Sequence, residues 1–380
     1  MARPHLDKAK STKNDEFYTQ YHDIEKEVNA YLEFNSEVFK GKVILLPCDD
    51  PEWSNFTKYF AQNFERFKIK KLISTSYAVE SKTYKYGYKT TLFEEKSPKF
   101  DKKKTRIKGK IFTLIKDKTR DNRIDIDDLD WQYMEGDGDF RSKEVIKLRD
   151  EADMVITNPP FSLFREFLAW IVEAKKQILI IGNKNCISYK EVFSSIMKNE
   201  IWLGCTSPNE FLLPEGEITK KVNGLTRWIT NIEHGRRHQY LPLMTIKDNL
   251  KYNKKMKDKK SYDKYDNYDA IEVPSIGAIP NDYKEVMGVP ITFLDKYNPE
   301  QFEIMGCDGY DKTPPTKKYT NKSKVVDKKR MKSKTGTMGC AIKEDEFGSG
   351  TYFDVGYPVR AVYKRIFVKH KKEVNENEHN

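Results

Sequence analysis

Four short aliphatic runs constrain this chain most, because each is bounded by an amphipathic stretch of helical period. They are Lys42-Val43-Ile44-Leu45-Leu46, residues 71–77, Met154-Val155-Ile156-Thr157 and Gln177-Ile178-Leu179-Ile180-Ile181. A strand with no polar face has to be covered on both sides, which is the situation inside a parallel sheet flanked by helices. The stretches between them supply such helices. Residues 52–67 place Trp53, Phe56, Tyr59, Phe60, Phe64 and Phe67 at helical spacing, and 162–176 and 191–199 also read as helices. Residues 201–203 form a further short strand, and 110–115 add a hairpin strand within a polar excursion over 80–130. The pattern predicts an α/β fold over residues 1–235, a doubly wound and mostly parallel sheet. In such sheets ligands bind beyond the carboxyl ends of the strands, so the chemistry is sought there.

Composition narrows the class. Only 38% of the 380 residues are apolar and 33% are charged, but 13% are aromatic, enough to build a core. No apolar run approaches the roughly 18 residues of a membrane span, and the polar start of the chain has no signal region. No membrane partner is expected. The five cysteines are scattered without a C-x-x-C pair, which fits a reduced cytoplasm and predicts no bound metal. Lys and Arg number 69 against 58 Asp and Glu, a net charge of +11 that invites a polyanion. Much of the surplus lies in 251–264 and 317–334, which read as loops. With Tyr252, Tyr262, Tyr265, Tyr268 and Tyr319 they mix cations with flat rings, as nucleic-acid surfaces do. The bland alternative for either segment is a solvated loop with no partner.

Asn158-Pro159-Pro160-Phe161 stands where the strand 154–157 ends. Proline cannot donate a hydrogen bond, so this turn offers acceptors, the Asn158 amide oxygen and the Pro159 carbonyl, beside an aromatic ring. That set suits a planar amine; the bland alternative is a stiff strand-to-helix turn. Cys48-Asp49-Asp50-Pro51 ends the first strand. No G-x-G-x-x-G is present, and carboxylates would repel a diphosphate but suit a cofactor with an ammonium group, such as S-adenosylmethionine; Asp as a helix N-cap is the alternative. In Gly136-Asp137-Gly138-Asp139-Phe140, Asp139 could accept from an adenine amine and Phe140 cover its face, unless this is an ordinary Gly/Asp turn. Phe17-Tyr18-Thr19 interrupts a charged segment, as if pinned or stapling a helix that begins near His22. Trp228 sits near a strand, with core packing its default explanation.

These stretches, with Lys13-Asn14-Asp15-Glu16 before Phe17, Gly138–Ser142, the continuation Ser162-Leu163-Phe164-Arg165-Glu166-Phe167, Trp228-Ile229-Thr230-Asn231 and Gly288-Val289-Pro290-Ile291-Thr292-Phe293, resemble the EcoRI-type adenine-specific DNA methyltransferases. The resemblance covers roughly 10–310 in patches, in a gamma-like motif order. It implies an S-adenosylmethionine-binding catalytic domain over 1–235 and target recognition over 236–380. Phe17, Tyr18 and Thr19 would form the N-terminal part of the cofactor pocket. Cys48, Asp49, Asp50 and Pro51 would take the methionine moiety, and Asp139 with Phe140 the adenine. Asn158, Pro159, Pro160 and Phe161 would be catalytic, with Trp228 a weaker candidate for the other face of the base. Two departures stand out: the first motif lacks the usual glycines, and the strand 72–77 ends without an acidic residue for the ribose, Glu80 being a substitute. The implied partner is double-stranded DNA, bound by a monomer in the cytoplasm, and whether a cognate restriction endonuclease acts beside it is left open. Two alternatives stand: an N-P-P methyltransferase acting on RNA or protein glutamine, and a DNA-binding protein that has lost catalysis.

Overall fold

The computed structural model describes residues 18–47, 49, 54–78, 97–118, 124, 128–212, 225–309, 313–319, 324–327, 330–333, 339–345 and 352–371. The chain divides into two compact units, Met1–Gly235 and Arg236–Asn380. In chain order the first unit contains β1 (Tyr18–Thr19), α1 (Tyr21–Phe34), β2 (Val43–Leu46), α2 (Asn55–Gln62), β3 (Lys71–Ser76), α3 (Lys102–Ile107), β4 (Lys110–Leu114) and β5 (Asp130–Tyr133). It continues with α4 (Lys143–Glu151), β6 (Met154–Thr157), α5 (Phe164–Glu173), β7 (Gln177–Asn183), α6 (Lys190–Met197), β8 (Trp202–Leu203), β9 (Phe211–Leu212) and β10 (Thr226–Thr230).

The aliphatic runs became the centre of one eight-stranded sheet, in the order β5-β4-β3-β2-β6-β7-β10-β8. From β3 to β7 the strands are parallel, and the remaining ladders at both edges are antiparallel. The sheet is therefore mixed, and the expectation of a mostly parallel one holds only for its middle. The reason lies in burial. Every residue of β2 and β6 is buried, whereas β4 alternates buried and half-buried positions, as an antiparallel strand near an edge can.

Side-chain alternation accounts for the two layers. Ile44, Leu46, Met154, Ile156, Leu179 and Ile181 join one core with Ile24, Val28 and Tyr31 of α1 and Phe56, Tyr59 and Phe60 of α2. The intervening Leu45, Val155, Ile178 and Ile180 point the other way and are as deeply buried. On that side a Cβ at Gly182 would stand 2.9 Å from Phe164 of α5 and from Ile229. Full burial of one such side chain contributes about 1.5–3 kcal/mol. Helices are shorter than their periodicity suggests. α2 starts where Ser54 Oγ accepts from Phe56 N at 3.1 Å and stops at Gln62, short of the turn at Lys68, which has φ 53°. The helix expected over 162–176 begins as a 3₁₀ turn, Phe161–Leu163, and becomes α-helical only at Phe164. Among the described residues no helix is long and apolar enough to cross a membrane.

The second unit holds α7 (Ile246–Tyr252), β11 (Ile271–Glu272), β12 (Met287–Pro290), β13 (Phe302–Cys307), β14 (Lys324–Asp327), β15 (Arg330–Ser333), β16 (Ala341–Lys343), β17 (Tyr352–Asp354), β18 (Pro358–Ala361) and β19 (Arg365–His370). They form a four-stranded sheet, β11-β12-β19-β13, and a five-stranded one, β15-β14-β17-β18-β16. The reading of 251–264 and 317–334 as loops fails in part, since α7 reaches Tyr252 and β14 pairs with β15; Lys328 and Lys329 lie outside the described residues. The tyrosines also differ from expectation. Tyr262, Tyr265 and Tyr268 are 8, 6 and 6% exposed. Their hydroxyls donate to Ala278 O at 2.6 Å, to Glu272 and to Asp308 Oδ1 at 3.0 Å. A ring whose hydroxyl finds an internal acceptor can fill a core, so these three do not form a stacking surface. Tyr252 remains exposed.

Candidate active site

Because β3, β2 and β6 are adjacent and parallel, the residues that follow them leave the sheet along one edge. Hydrogen bonds tie those exits together. Thr157 Oγ1, the last residue of β6, donates to Pro47 O just after β2 at 2.8 Å. Ser74 Oγ of β3 donates to Asp49 O, as does Thr57 Oγ1 of α2 at 3.2 Å. Asp49 is buried, and its Oδ1 accepts from Ser54 Oγ at 2.8 Å. The carboxylate and the N-cap of α2 are thus one assembly. Of the other expected cofactor residues, Phe17, Cys48, Asp50 and Pro51 lie outside the described residues, as does Glu80.

Tyr18 and Thr19 are indeed pinned. They form β1, paired antiparallel with β9, and Thr19 O accepts from Asn55 Nδ2 at the start of α2 at 2.8 Å. Thr19 is buried, and its Oγ1 has no hydrogen-bond partner among the described residues. The segment leading to β9 is held by α1. Glu27, fully buried, accepts from Cys205 N at 2.8 Å, Thr206 N at 2.7 Å, Thr206 Oγ1 at 2.6 Å and Tyr31 OH at 2.7 Å. Asp23 Oδ2 accepts from Asn209 N at 3.2 Å. Burial pushes the Glu27 carboxyl above its usual range despite these donors.

The 136–140 turn packs against the exit of β3. Gly138 has φ 89°, and a Cβ there would lie 2.4 Å from Ser76 O; Ala78 N donates to Asp137 O at 2.7 Å. Arg141 beside Asp139 holds that carboxyl below the usual range. Burial, with Asp137 and Asp139 nearby, pushes the Tyr77 phenol up to about 12. Phe140 is buried, its ring edge-on to Phe167 at 5.1 Å and Trp170 at 5.5 Å. It supports the turn from within the core.

At the exit of β6, Asn158 is half-buried, Pro159 buried and Pro160 half-buried. Leu163 N donates to Pro160 O at 3.0 Å, closing the 3₁₀ turn. Phe161 is half-buried against the core shared by α1 and α2. Trp228 is different: it is 0% exposed, edge-on to Phe56 at 5.9 Å inside that core. The core encloses its indole, so core packing, its default explanation, holds and the weaker reading of it as a second stacking face for the base falls. The structure brings Asp49, the Asp139 turn and the Asn158–Phe161 turn to one edge of the large sheet, and Thr19, in the separate β1–β9 pair, is tied to α2 there through Asn55. Sequence reasoning missed Glu27, and it held Asn55, Arg141 and Glu166 only inside matched stretches, with no role assigned. A charge on an amphipathic helix carries no mark of burial, and only the long-range pairing of β1 with β9 reveals what Glu27 holds.

A family model described as "Adenine-specific methyltransferase EcoRI" matches residues 5–371. The chain belongs to that family. Its curated relatives include the Type II methyltransferase M.EcoRI of Escherichia coli, 42% identical over 316 residues, which covers 79% of this chain and 88% of that protein. The Type II methyltransferases M.MgeORF184P of Mycoplasma genitalium and M.MpnI of Mycoplasma pneumoniae are 33% and 30% identical. Those matches each cover 80% of this chain, and 86% and 85% of the relatives. No solved structure matches the chain. As a member of this family, the chain is a methyltransferase with an adenine-specific lineage.

Proposed function

We propose that this enzyme transfers a methyl group from S-adenosylmethionine to N6 of an adenine turned out of double-stranded DNA, at a specific site, as a modification enzyme of the restriction–modification kind. The observation that carries this reading is the place of Asn158-Pro159-Pro160-Phe161. The turn leaves a central strand of the parallel set, bound through Thr157 to the exit of β2. An adenine amine inside a duplex is out of reach, and extruding the base costs a few kcal/mol. Once it is out, the Asn158 side-chain oxygen and the Pro159 carbonyl accept its two N–H bonds and aim the nitrogen lone pair. Phe161, backed by the core, stacks on the ring. Positioning and electrostatics supply the acceleration.

The residues fit the cofactor. A buried hydroxyl at Thr19 with no partner among the described residues and a buried carboxylate at Asp49 are a donor–acceptor set for an amino-acid end carrying an ammonium group. Tyr18 and Thr19, with Phe17, Cys48, Asp50 and Pro51, would enclose that end, and Asp139 would accept from the adenine amine, with Phe140 backing its turn. When bound, the cofactor supplies a methyl group on a sulfonium. Four parallel strands, with Asp49 beyond the carboxyl end of β2 and Asn158 beyond that of β6, support reading the first unit as an S-adenosylmethionine-dependent methyltransferase fold. The second unit carries 29 Lys and Arg against 21 Asp and Glu, the first 40 against 37. That imbalance favours the second unit as the DNA-gripping one.

A tritiated-methyl transfer assay on duplex DNA, RNA and protein tests the reading. Duplex DNA is the expected acceptor. Asn158→Ala should lower transfer by at least about a hundredfold, the scale of losing a preorganised polar group, while DNA affinity stays within about twofold. Label appearing in RNA or protein instead, or an unimpaired variant, would overturn it.

A further inference from the structure

The first turn of α5, directly after Asn158–Phe161, carries two exposed charges, and both find partners outside the helix. Arg165 lies over the Tyr189 ring at 4.0 Å. Glu166 Oε2 accepts from Arg141 Nη1 at 3.0 Å. Arg141 in turn grips Asp139: Nε donates to Oδ1 at 2.9 Å, Nη2 to Oδ2 at 2.6 Å, and its backbone N–H to Oδ1 at 2.8 Å. Its guanidinium also lies 5.4 Å from the centre of the Phe140 ring, which packs on Phe167 of the same α5. One cation therefore spans two turns, one docked on the exit of β3 and the other leaving β6.

We propose that Arg141 is a positioning residue for methyl transfer, holding the turn that receives the cofactor's adenine at a fixed offset from the turn that receives the target base. This rests on the reading that Asp139 meets the cofactor and Asn158 the base. A carboxylate has about four lone-pair sites. Arg141 occupies three of them in a planar, two-pronged grip, and the fourth, on Oδ2, is met only by the long contact of the Tyr77 hydroxyl at 3.5 Å, the one an incoming amine would displace. Asp139 is thereby held ionised and in one orientation, so an incoming amine meets an acceptor that does not have to be ordered first. The bond to Glu166 transmits the same constraint to α5. Its first turn continues the Asn158–Phe161 segment, and a misplacement of about 1 Å between reacting groups can cost on the order of a hundredfold in rate. Lysine, a point charge without the fork, could keep the charge but not the geometry.

Three variants of the full chain separate these roles, because Glu166→Ala cuts only the bond to α5, Arg141→Gln cuts both, and Arg141→Lys keeps charge alone. The readouts are S-adenosylmethionine affinity by calorimetry and kcat on duplex DNA, with thermal melts alongside. Arg141→Gln should weaken cofactor affinity by about tenfold, the scale of a lost charge-assisted grip, and lower kcat as well. Glu166→Ala should lower kcat about threefold or more with cofactor affinity within about twofold, the scale of one bond relaxed at the helix. Arg141→Lys should recover part of the affinity and little of kcat. The affinity of Arg141→Gln should also fall away at a higher pH than the wild type's, since Asp139 loses the partner that keeps it ionised; Tyr77, Asp137 and Glu166 are the other titratable groups around that pair. Cofactor affinity and kcat both within twofold for Arg141→Gln would sink the proposal, and so would losses matched by an equal fall in melting temperature. Asp139→Asn is the control. If it binds cofactor as the wild type does, the reading of that turn falls and the proposal with it; if it loses cofactor while Arg141→Gln does not, the proposal alone falls.

Discussion

Glu27 shows how far a single residue can depart from what its neighbours in sequence suggest. Between Lys26 and Val28 on a helix it reads as one more surface charge, yet it is fully buried and takes four donors from three residues. Replacing it by leucine strands the Cys205 and Thr206 N–H groups, at about 1–3 kcal/mol each. Denaturant titration should therefore show Glu27→Leu destabilised by roughly 3 kcal/mol or more; a loss under about 1 kcal/mol would mean that those donors find other acceptors. The pH dependence has a definite sign. The folded-state pKa of Glu27 is raised above the unfolded value, so its contribution is fully present at low pH and declines as pH climbs from the usual carboxylate range through the raised value. The gap between wild type and Glu27→Gln should move in that direction. Asn158 was legible because two prolines following an amide at a strand end are chemically odd. Tyr265 was not, because the Glu272 that accepts from its hydroxyl is part of a buried pair with Arg365, close only after folding.

Among the elements, legibility followed burial. β2, β3, β6 and β7 were readable because strands covered on both faces spell themselves in aliphatic residues. β5, exposed at Asp130 and Gln132, is polar at half its positions, so only Trp131 and Tyr133 mark it. β1 and β9 are two residues each and are strands only through each other, a pairing no local pattern encodes. Gly138 marks another element-scale constraint. Alanine there would combine a left-handed backbone with a Cβ pressed on the Ser76 carbonyl, and the Gly109 backbone closes the third side. Gly138→Ala should cost about 2 kcal/mol or more in stability and disturb cofactor binding before DNA binding. A variant that melts and binds as the wild type does would show that the turn can shift off β3 without consequence.

For the whole molecule, eight of the eleven surplus positive charges fall in residues 236–380. The exposed Lys251, Lys254, Lys255 and Lys257, at the end of α7 and just beyond, are the described lysines best suited to a phosphate test. Changing all four to glutamine should weaken DNA binding and reduce the slope of log affinity against log salt by up to about 0.9 for each phosphate no longer neutralised, while cofactor affinity is unaffected; an unmoved slope would mean that this segment does not meet the DNA backbone. The five-stranded sheet of the second unit escaped the sequence because its strands have three or four residues, each with at least one charge, so no aliphatic run announces them. The first unit carries a different kind of whole-chain constraint in β1. Tyr18 and Thr19 pair with Leu212 and Phe211, nearly the full length of the unit away. During synthesis the strand has no partner until about 200 residues have left the ribosome, long after β2, β3 and β6 can assemble, and closing so long a loop is entropically slow. On the proposed reading, a nascent chain cannot wall in its methyl donor early: the lid on that end of the site is among the last pieces of the unit to be made, so a truncated translation product is born inert.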